Sequence, residues 1–204
     1  GGNIGRALLP IIETIREEDA AVVELSSFQL ISMRQSPDVA VVTNVAPNHL
    51  DVHKDMEEYI EAKTNLIRHQ NAFSKAVLNA DNEITAGMSG LVRGSLYRFS
   101  RKTVPENGAY LDENGFINIV VNGESQRIMQ KDRIRLPGIH NVENYLAAIS
   151  ATIGEVDVNN IVSVAENFGG VEHRIELVRV LDGVRWYNDS IATSPTRTIA
   201  GLNS

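Results

Sequence analysis

The chain has 204 residues, of which 43% are hydrophobic and 22% charged, and this is the composition of an ordinary globular protein of one or two domains. Its net charge of −7 argues against the clustered basic surface that nucleic-acid binding needs, and no run of about 18 apolar residues is present that could cross a membrane. The absence of cysteine excludes disulfides and thiolate metal sites, and it is compatible with the reducing cytoplasm in which we expect the protein to act.

The first part of the chain predicts alternating helices and strands, because apolar residues recur there either at helical spacing or in short continuous runs. Such alternation favours a mostly parallel sheet flanked by helices, which is an α/β fold. The predicted elements in chain order are a helix over 4–15 with a break at Pro10, a buried strand over 20–25, a short helix over 28–33, a second buried strand over 39–45, an amphipathic helix over 55–70 and a third strand over 75–79.

The middle of the chain has a different pattern. Residues 110–129 alternate through turn-prone sequences at 112–115 and 122–123, which predicts a small antiparallel sheet. The elements predicted after it are helices over 141–153 and 158–168 and a hairpin over 174–190 that turns at Asp182 and Gly183.

Two side chains that can bind a metal follow consecutive predicted strands. Glu24 lies near the end of the strand over 20–25, and His49 follows the strand over 39–45. Because ligands bind at the carboxyl ends of the strands in an open parallel sheet, we expect these side chains to lie close together and to favour a hard-cation site. Taken alone, Glu24 is equally consistent with a solvated residue at a strand end, and His49 with a loop histidine that makes an ordinary hydrogen bond.

Seven sequence strings occur in an order that resembles one protein family. They are GGNIG at 1–5, ELSSFQL at 24–30, NVAPNHLD at 44–51, AK at 62–63, LPGIHNVEN at 136–144, HR at 173–174 and NDS at 188–190. Each string is weakly specific alone, whereas seven in this order and spacing identify the chain as a member of the Mur ligases, over essentially its whole length. The strings at 1–5, 24–30 and 188–190 are most similar to the D-glutamate-adding member of that family.

The resemblance implies an ATP-dependent peptide ligase of peptidoglycan precursor synthesis. In such a ligase ATP phosphorylates a carboxylate, and the amine of an amino acid attacks the acyl phosphate. The implied substrates are UDP-N-acetylmuramoyl-L-alanine and D-glutamate, and the implied cofactors are ATP and two Mg²⁺ ions. The complete enzyme is expected to be a monomer with no nucleic-acid or membrane partner.

The resemblance also implies three domains, which bind UDP, hydrolyse ATP and help to bind the amino acid. Residues 1–170 correspond to the central ATP-binding domain, and 171–204 to the beginning of the C-terminal ligase domain, with the boundary at the two glycines after Phe168. The family's phosphate loop, G-x-x-G-K-[ST], does not occur in the 204 residues. Because that loop supplies N–H groups and a lysine to the phosphates, we expect this chain to be a piece of a longer protein and to be inactive alone.

Four residues are implied to act at the phosphates and metal ions. By resemblance, Glu24 binds magnesium at the nucleotide phosphates, and His49 holds a second magnesium ion near the acyl phosphate. Lys63 matches the family's carbamylated lysine, which CO₂ converts from a cation into an anionic oxygen donor. Asn3 is expected beside the substrate and the phosphates. Without the resemblance, Lys63 is read as a solvated helix lysine.

Four further residues are implied to bind the nucleotide. Asn141 and Asn144 lie one helical turn apart and are expected to reach the adenine end of ATP. Arg174 is expected near the phosphates and Asp189 near the ribose hydroxyls. The alternatives from the residues alone are a helix cap for Asn141 and a plain turn at Asp189 after a strand.

The chain departs from the family pattern at Ile191, where the string NDSKAT often has lysine. The loss of this cation leaves open a non-catalytic nucleotide-binding relative. A magnesium-dependent hydrolase that uses Glu24, His49 and Asp51 is a second alternative. A different Mur ligase or a folylpolyglutamate synthetase-type ligase is a third.

Overall fold

A six-stranded sheet forms the centre of the computed structural model, which describes residues 1–3, 5, 7–46, 53–192 and 195–202. Neighbours in the sheet are neighbours in the sequence, in the order β1 Val39–Val42, β2 Lys75–Asn79, β3 Ser95–Ser100, β4 Gly108–Leu111, β5 Phe116–Val121 and β6 Glu124–Gln130. The pairings from β1 to β4 are parallel, and those of β4 with β5 and of β5 with β6 are antiparallel. The predicted α/β class, with a mostly parallel sheet and an antiparallel part, is confirmed.

Side-chain caps fix the beginnings of several helices. The α-helices in the described ranges are α1 Ser27–Ile31, α2 Met56–Arg68, α3 Glu83–Gly87, α4 Ile139–Thr152, α5 Val158–Asn167 and α6 Pro195–Leu202. The carboxylate of Asp55 accepts a hydrogen bond from the backbone N–H of Glu58 at 2.9 Å, and Asp157 accepts one from Asn159 at 2.7 Å. Because these bonds satisfy N–H groups that have no partner inside a helix, α2 and α5 begin at the next residue, close to the predicted starts.

Helices cover both faces of the sheet, as strand β2 shows. Ala76 and Leu78 belong to the apolar cluster shared with α2, whereas Val77 between them belongs to the cluster shared with α4 and α5. All three side chains are fully buried. Successive side chains on a strand point to opposite faces, so a strand with both faces covered has the continuous apolar sequence from which β2 was predicted.

The predicted hairpin near the end of the chain is confirmed. It consists of β7 Glu176–Leu181 and β8 Val184–Asn188, which pair antiparallel. Asp182 and Gly183 have φ angles of 51° and 79°, as the two central residues of a type I′ turn require. Apolar side chains on both strands are exposed, including Trp186 at 52%. The domain boundary near residue 170 stays a prediction.

The prediction of a buried strand over 20–25 is wrong. This segment lies on the surface, with Val22 83% exposed. A strand needs a neighbour that supplies a ladder of hydrogen bonds, and here a single parallel bridge joins Gly2 to Glu24. The N–H of Glu24 donates to Gly1 O at 3.0 Å, and the N–H of Asn3 donates to Glu24 O at 2.8 Å. In the described part of the chain this short pairing is not extended.

Other differences from the predicted elements are smaller. In place of the helix over 4–15, a 3₁₀ helix spans Leu9–Thr14 around Pro10. Strand β3 was not predicted, because its two serines and Arg98 interrupt the apolar pattern. The antiparallel strands β5 and β6 extend the main sheet instead of forming a separate one. Among the described residues, no helix has the length and apolar character needed to span a bilayer.

Candidate functional site

Three of the predicted site residues come together although they are far apart in the sequence. Asn3 Nδ2 donates a hydrogen bond to Glu24 Oε1 at 3.2 Å, in addition to the backbone bond between the same residues. The charge of Glu24 acts on Lys63 and raises its pKa, but burial of the ammonium group has the larger effect and lowers that pKa below its usual value. An amide oxygen, a carboxylate and a partly desolvated amine therefore share one region, called here the metal end after the metal site expected from the sequence.

The helix α2 presents Lys63 to the metal end. Lys63 is half-buried, and its Nζ lies 5.5 Å from the centroid of the Tyr59 ring, one turn earlier on α2. Burial also raises the pKa of Tyr59. The interpretation of Lys63 as a fully solvated helix lysine does not agree with this environment.

The residues at the metal end fit magnesium only in part. Glu24 and Asn3 offer the carboxylate and amide oxygens that Mg²⁺ prefers. No group of three or more His, Asp or Glu side chains suited to a metal ion occurs in the ranges that the structure describes. His49, the predicted second ligand, and Asp51, the third ligand of the hydrolase alternative, lie outside the described residues. Glu24 and Asn3 are compatible with one magnesium ion that takes its other ligands from elsewhere.

A cavity of about 300 Å³ lies between α4, α5 and the segment that leads to β7, and it is called here the adenine pocket after the ligand expected there from the sequence. Its walls are largely apolar and include Leu136, Tyr145 and Phe168. The Tyr145 hydroxyl donates a hydrogen bond to Val164 O at 3.4 Å, which links α4 to α5. A largely apolar pocket with a few polar groups is typical of a small-molecule site.

Three of the predicted nucleotide-binding residues line the adenine pocket: Asn141, Asn144 and Arg174. Asn141 Nδ2 donates to Pro137 O at 2.6 Å, and Asn144 Nδ2 donates to Asn141 Oδ1 at 3.4 Å. Asn141 is not the cap of α4, because the cap position is taken by Gly138 with φ of 96°. Hydrogen bonds thus link the side chains of the two asparagines to each other and to Pro137 O at the beginning of α4.

Asp189 does not line the pocket, but it holds the segment that carries Arg174. Asp189 Oδ1 accepts a hydrogen bond from Ile175 N at 3.2 Å, and Asn188 Nδ2 lies 2.9 Å from His173 Nδ1. The two neighbours of Arg174 have positive φ angles, 68° for His173 and 47° for Ile175, which non-glycine residues rarely adopt. These contacts hold residues 188–190 against the segment that contains His173 and Arg174. Asp189 also begins a turn, in which its carbonyl oxygen accepts a hydrogen bond from Ala192 N.

Sequence reasoning missed an ion pair that fixes the beginning of α4. Arg101 Nε lies 2.6 Å from Glu143 Oε1. Arg101 itself follows β3, where its N–H donates to Asp81 Oδ2 at 2.7 Å and the buried Ser100 hydroxyl donates to Asp81 Oδ1 at 2.6 Å. This chain of contacts ties the ends of β2 and β3 to the helix turn that carries Asn141 and Asn144. No local pattern signals a pair separated by 42 residues.

The α/β sheet agrees with the comparison to protein families. Residues 9–152 match the model of the Mur ligase middle domain, which is more than half of the chain. The chain therefore belongs to the Mur ligase family.

Relatives at 48–57% identity share one name. UDP-N-acetylmuramoylalanine–D-glutamate ligase of Acetivibrio thermocellus is 57% identical over 205 residues, which cover all of this chain and 44% of the relative. The protein of the same name from Clostridium beijerinckii is 52% identical over 204 residues, again over the whole chain and 43% of the relative. The chain thus spans less than half the length of these relatives.

Solved structures share the fold at lower sequence identity. Crystal structure I of MurF from Acinetobacter baumannii has a TM-score of 0.65 and 19% identity, covering 91% of this chain and 42% of that one. The UDP-N-acetylmuramate-alanine ligase from Thermotoga maritima has a TM-score of 0.62 and 21% identity, covering 89% and 41%.

Proposed function

We propose that this chain is the central ATP-binding part of a carbon–nitrogen ligase that adds D-glutamate to UDP-N-acetylmuramoyl-L-alanine in peptidoglycan precursor synthesis. The observation that carries this proposal is the 57% identity, over the whole chain, to the Acetivibrio thermocellus ligase of that name. Relatives at 48–57% identity are all named as D-glutamate ligases, which favours this activity over the hydrolase, the folylpolyglutamate synthetase-type ligase and the other Mur ligases.

The proposed reaction has two steps. A carboxylate oxygen of UDP-N-acetylmuramoyl-L-alanine attacks the γ-phosphorus of ATP, and ADP leaves. The nitrogen of D-glutamate then attacks the acyl carbon, phosphate leaves, and the nitrogen loses a proton. Bound magnesium would offset the negative charge of the phosphates during both steps.

At the metal end, we assign Glu24 and Asn3 to one magnesium ion at the phosphates, and His49 to a second ion. The lowered pKa of Lys63 supports its carbamylation, because only the neutral amine adds CO₂, and burial increases the neutral fraction at a given pH. The ammonium group first loses one proton, and addition of CO₂ to the neutral amine forms the N–C bond and releases a second proton, so that a cation becomes an anionic oxygen donor. The carbamate and Glu24 would then repel each other, and the positive charge of bound magnesium would offset that repulsion.

At the other end, we assign the pocket walls to the adenine ring and the amides of Asn141 and Asn144 to its polar edge. The apolar walls, the two amides and the volume of about 300 Å³ support this assignment. Arg174 would approach the phosphates, and Asp189 the ribose hydroxyls. Both lie in residues 171–204, which we assign to the C-terminal ligase domain, with 1–170 as the central domain.

The remaining assignments concern the whole protein. The complete ligase is here the full-length protein that contains this chain and the further parts that its longer relatives have. We propose that the complete ligase is a cytoplasmic monomer. The lack of cysteine is compatible with the cytoplasm, and the monomeric state is carried over from the family. Since the chain has no G-x-x-G-K-[ST] string, we propose that it is inactive alone.

The test measures ADP release and product mass with the complete ligase. ADP release that requires both UDP-N-acetylmuramoyl-L-alanine and D-glutamate, with a product of the summed mass less one water, is the expected result. L-Glutamate serves as the matched control and should give little product. ADP release without an amino acid would instead support the hydrolase, and a preference for L-glutamate on a folate substrate would support the polyglutamylating ligase.

A further inference from the structure

His53 is a buried histidine to which the reaction described above gives no role. It is 3% exposed and lies just before α2. Its Nε2 lies 2.8 Å from the Ser27 hydroxyl. Its ring stacks on Phe28, with centroids 5.3 Å apart and planes 9° apart, and the Tyr59 ring meets it edge-on at 5.2 Å.

These contacts join the two segments that build the metal end. Ser27 and Phe28 begin α1, which follows the segment that contains Glu24. Tyr59 lies on α2 beneath the ammonium group of Lys63. The imidazole therefore lies between the beginning of α1, which follows Glu24, and Tyr59, one turn before Lys63 on α2.

A space-filling role alone does not account for an imidazole at this position. Both ring neighbours are aromatic, so a phenylalanine would fill the same space. The Nδ1 atom of His53 is buried without a hydrogen-bond partner among the described residues, and the nearest acidic oxygen, Glu58 Oε2, is 3.4 Å away. A buried nitrogen without a partner is destabilising. The feature that distinguishes histidine from phenylalanine here is the directional bond of Nε2 with Ser27.

We propose that His53 is a positioning residue for the metal end, and this inference rests on the proposed ligase function. Its bond with Ser27 and its contact with Tyr59 hold the beginning of α1 against α2. They thereby set the separation of Glu24 and Lys63 at which magnesium binds. His53 itself touches neither the substrate nor the metal ion.

The test uses four variants of the complete ligase. His53→Phe keeps the ring volume and removes the bond, whereas His53→Gln keeps a polar group at the position of Nε2. Ser27→Ala removes the other end of the bond with a smaller change to the core. His69→Phe is the matched control, because His69 is exposed at the other end of α2.

Four quantities are measured for each variant: kcat, KM for ATP, the Mg²⁺ concentration at half-maximal activity, and the melting temperature. Binding of Mn²⁺, followed by loss of the free-ion EPR signal, gives a readout that needs no turnover. We expect His53→Phe and Ser27→Ala to lower kcat and weaken Mg²⁺ and Mn²⁺ binding by about tenfold or more, as changes behind metal ligands do. His53→Gln should stay within about threefold of the unmodified protein, and the control should be unchanged.

The outcomes separate this inference from the proposed function. Normal Mg²⁺ and Mn²⁺ binding in both His53→Phe and Ser27→Ala would overturn the positioning role, even with ligase activity intact. His53 would be a core residue only if His53→Phe weakens ATP binding and metal binding to the same extent and lowers the melting temperature, and if His53→Gln does not recover these properties. Absence of D-glutamate-dependent turnover in the unmodified protein would overturn the proposed function, while Mn²⁺ binding would still decide the role of His53.

Discussion

The adenine pocket and the metal end differ in how firmly the described part of the chain builds them. The pocket rests on α4 and α5, whose inward residues Leu146 and Ala165 are fully buried against the sheet. The metal end combines the half-buried Lys63 with Glu24 and Asn3, which are exposed and held by a few hydrogen bonds of residues 1–3 with 22–24.

This difference separates two parts of the proposed function. A pocket formed by packed helices is preorganised, so the described residues should supply a weak binding site for the base. Phosphate and metal binding depends on charged groups whose positions are set by few contacts. Substitutions at the two ends should therefore affect different kinetic constants.

The largest effect is expected from Lys63→Ala in the complete ligase. Loss of the proposed carbamate oxygen ligand should lower kcat by about 10²-fold or more, while KM for ATP changes little, because the adenine pocket is intact. Added acetate or formate should restore part of the activity by replacing the lost oxygen ligand. The exposed Lys102 provides the control Lys102→Ala. Full activity of Lys63→Ala would show that the amine has no role in catalysis.

The opposite pattern is expected at the pocket, from Asn144→Ala. Loss of an amide at the edge of the base should raise KM for ATP by about tenfold and reduce the preference for ATP over GTP, with kcat nearly unchanged. Asn160→Ala, at an exposed position in the first turn of α5, is the control. An unchanged ratio of ATP to GTP would contradict the assignment of Asn144 to adenine.

A smaller effect at the same end is expected from Glu143→Gln. Each partner of the Arg101–Glu143 ion pair is 31% exposed, so loss of the pair should weaken ATP binding by only about threefold, or less than 1 kcal/mol. A double-mutant cycle with Arg101→Gln would measure the interaction free energy of the two side chains. Asp132→Asn removes a surface ion pair with Lys131 and serves as the control. A change in kcat without a change in ATP binding would indicate that α4 affects the metal end as well as the adenine pocket.

Elements set by local sequence patterns were predicted better than those that depend on distant residues, for physical reasons. Strand β2, the capped helix α2 and the Asp182-Gly183 turn are determined by local patterns, and all three are where they were predicted. The run over 20–25 failed as a strand because strand formation depends on a neighbour, which an apolar pattern does not encode. The Arg101–Glu143 pair and the His53–Ser27 bond were not predicted either, because they connect residues far apart in the sequence and local patterns do not encode such contacts.

Truncation after Gly170 tests the proposed domain boundary before the hairpin β7–β8. Because the hairpin strands are exposed, we expect the melting temperature to change by only a few degrees, about what 1 kcal/mol gives in a domain of this size. Self-association, measured by light scattering, should decrease, since the hairpin has open edges and exposed apolar side chains. A large fall in melting temperature would show that the proposed domain boundary is wrong.

The smallest effect concerns stability, from Lys63→Met in this chain. Burial lowers the pKa of folded Lys63, so the unfolded chain binds more protons and the charged amine destabilises the fold below that pKa. The destabilisation is lost as the pH rises through the folded pKa toward the ordinary lysine value. The variant should therefore be more stable than the unmodified chain at pH 7, and the difference should shrink toward pH 10 in denaturant titrations without added bicarbonate. A difference that grows with pH would contradict the buried environment of Lys63.

The difference between the two ends is tested most directly by calorimetry of this 204-residue chain with adenosine, and with ATP in the presence and absence of Mg²⁺. A preorganised pocket without the G-x-x-G-K-[ST] string should bind all three ligands weakly, with Kd of millimolar order, or about 4 kcal/mol, and Mg²⁺ should add little. Micromolar binding of ATP that requires Mg²⁺ would contradict the account, because the described residues would then hold the phosphates and the metal by themselves.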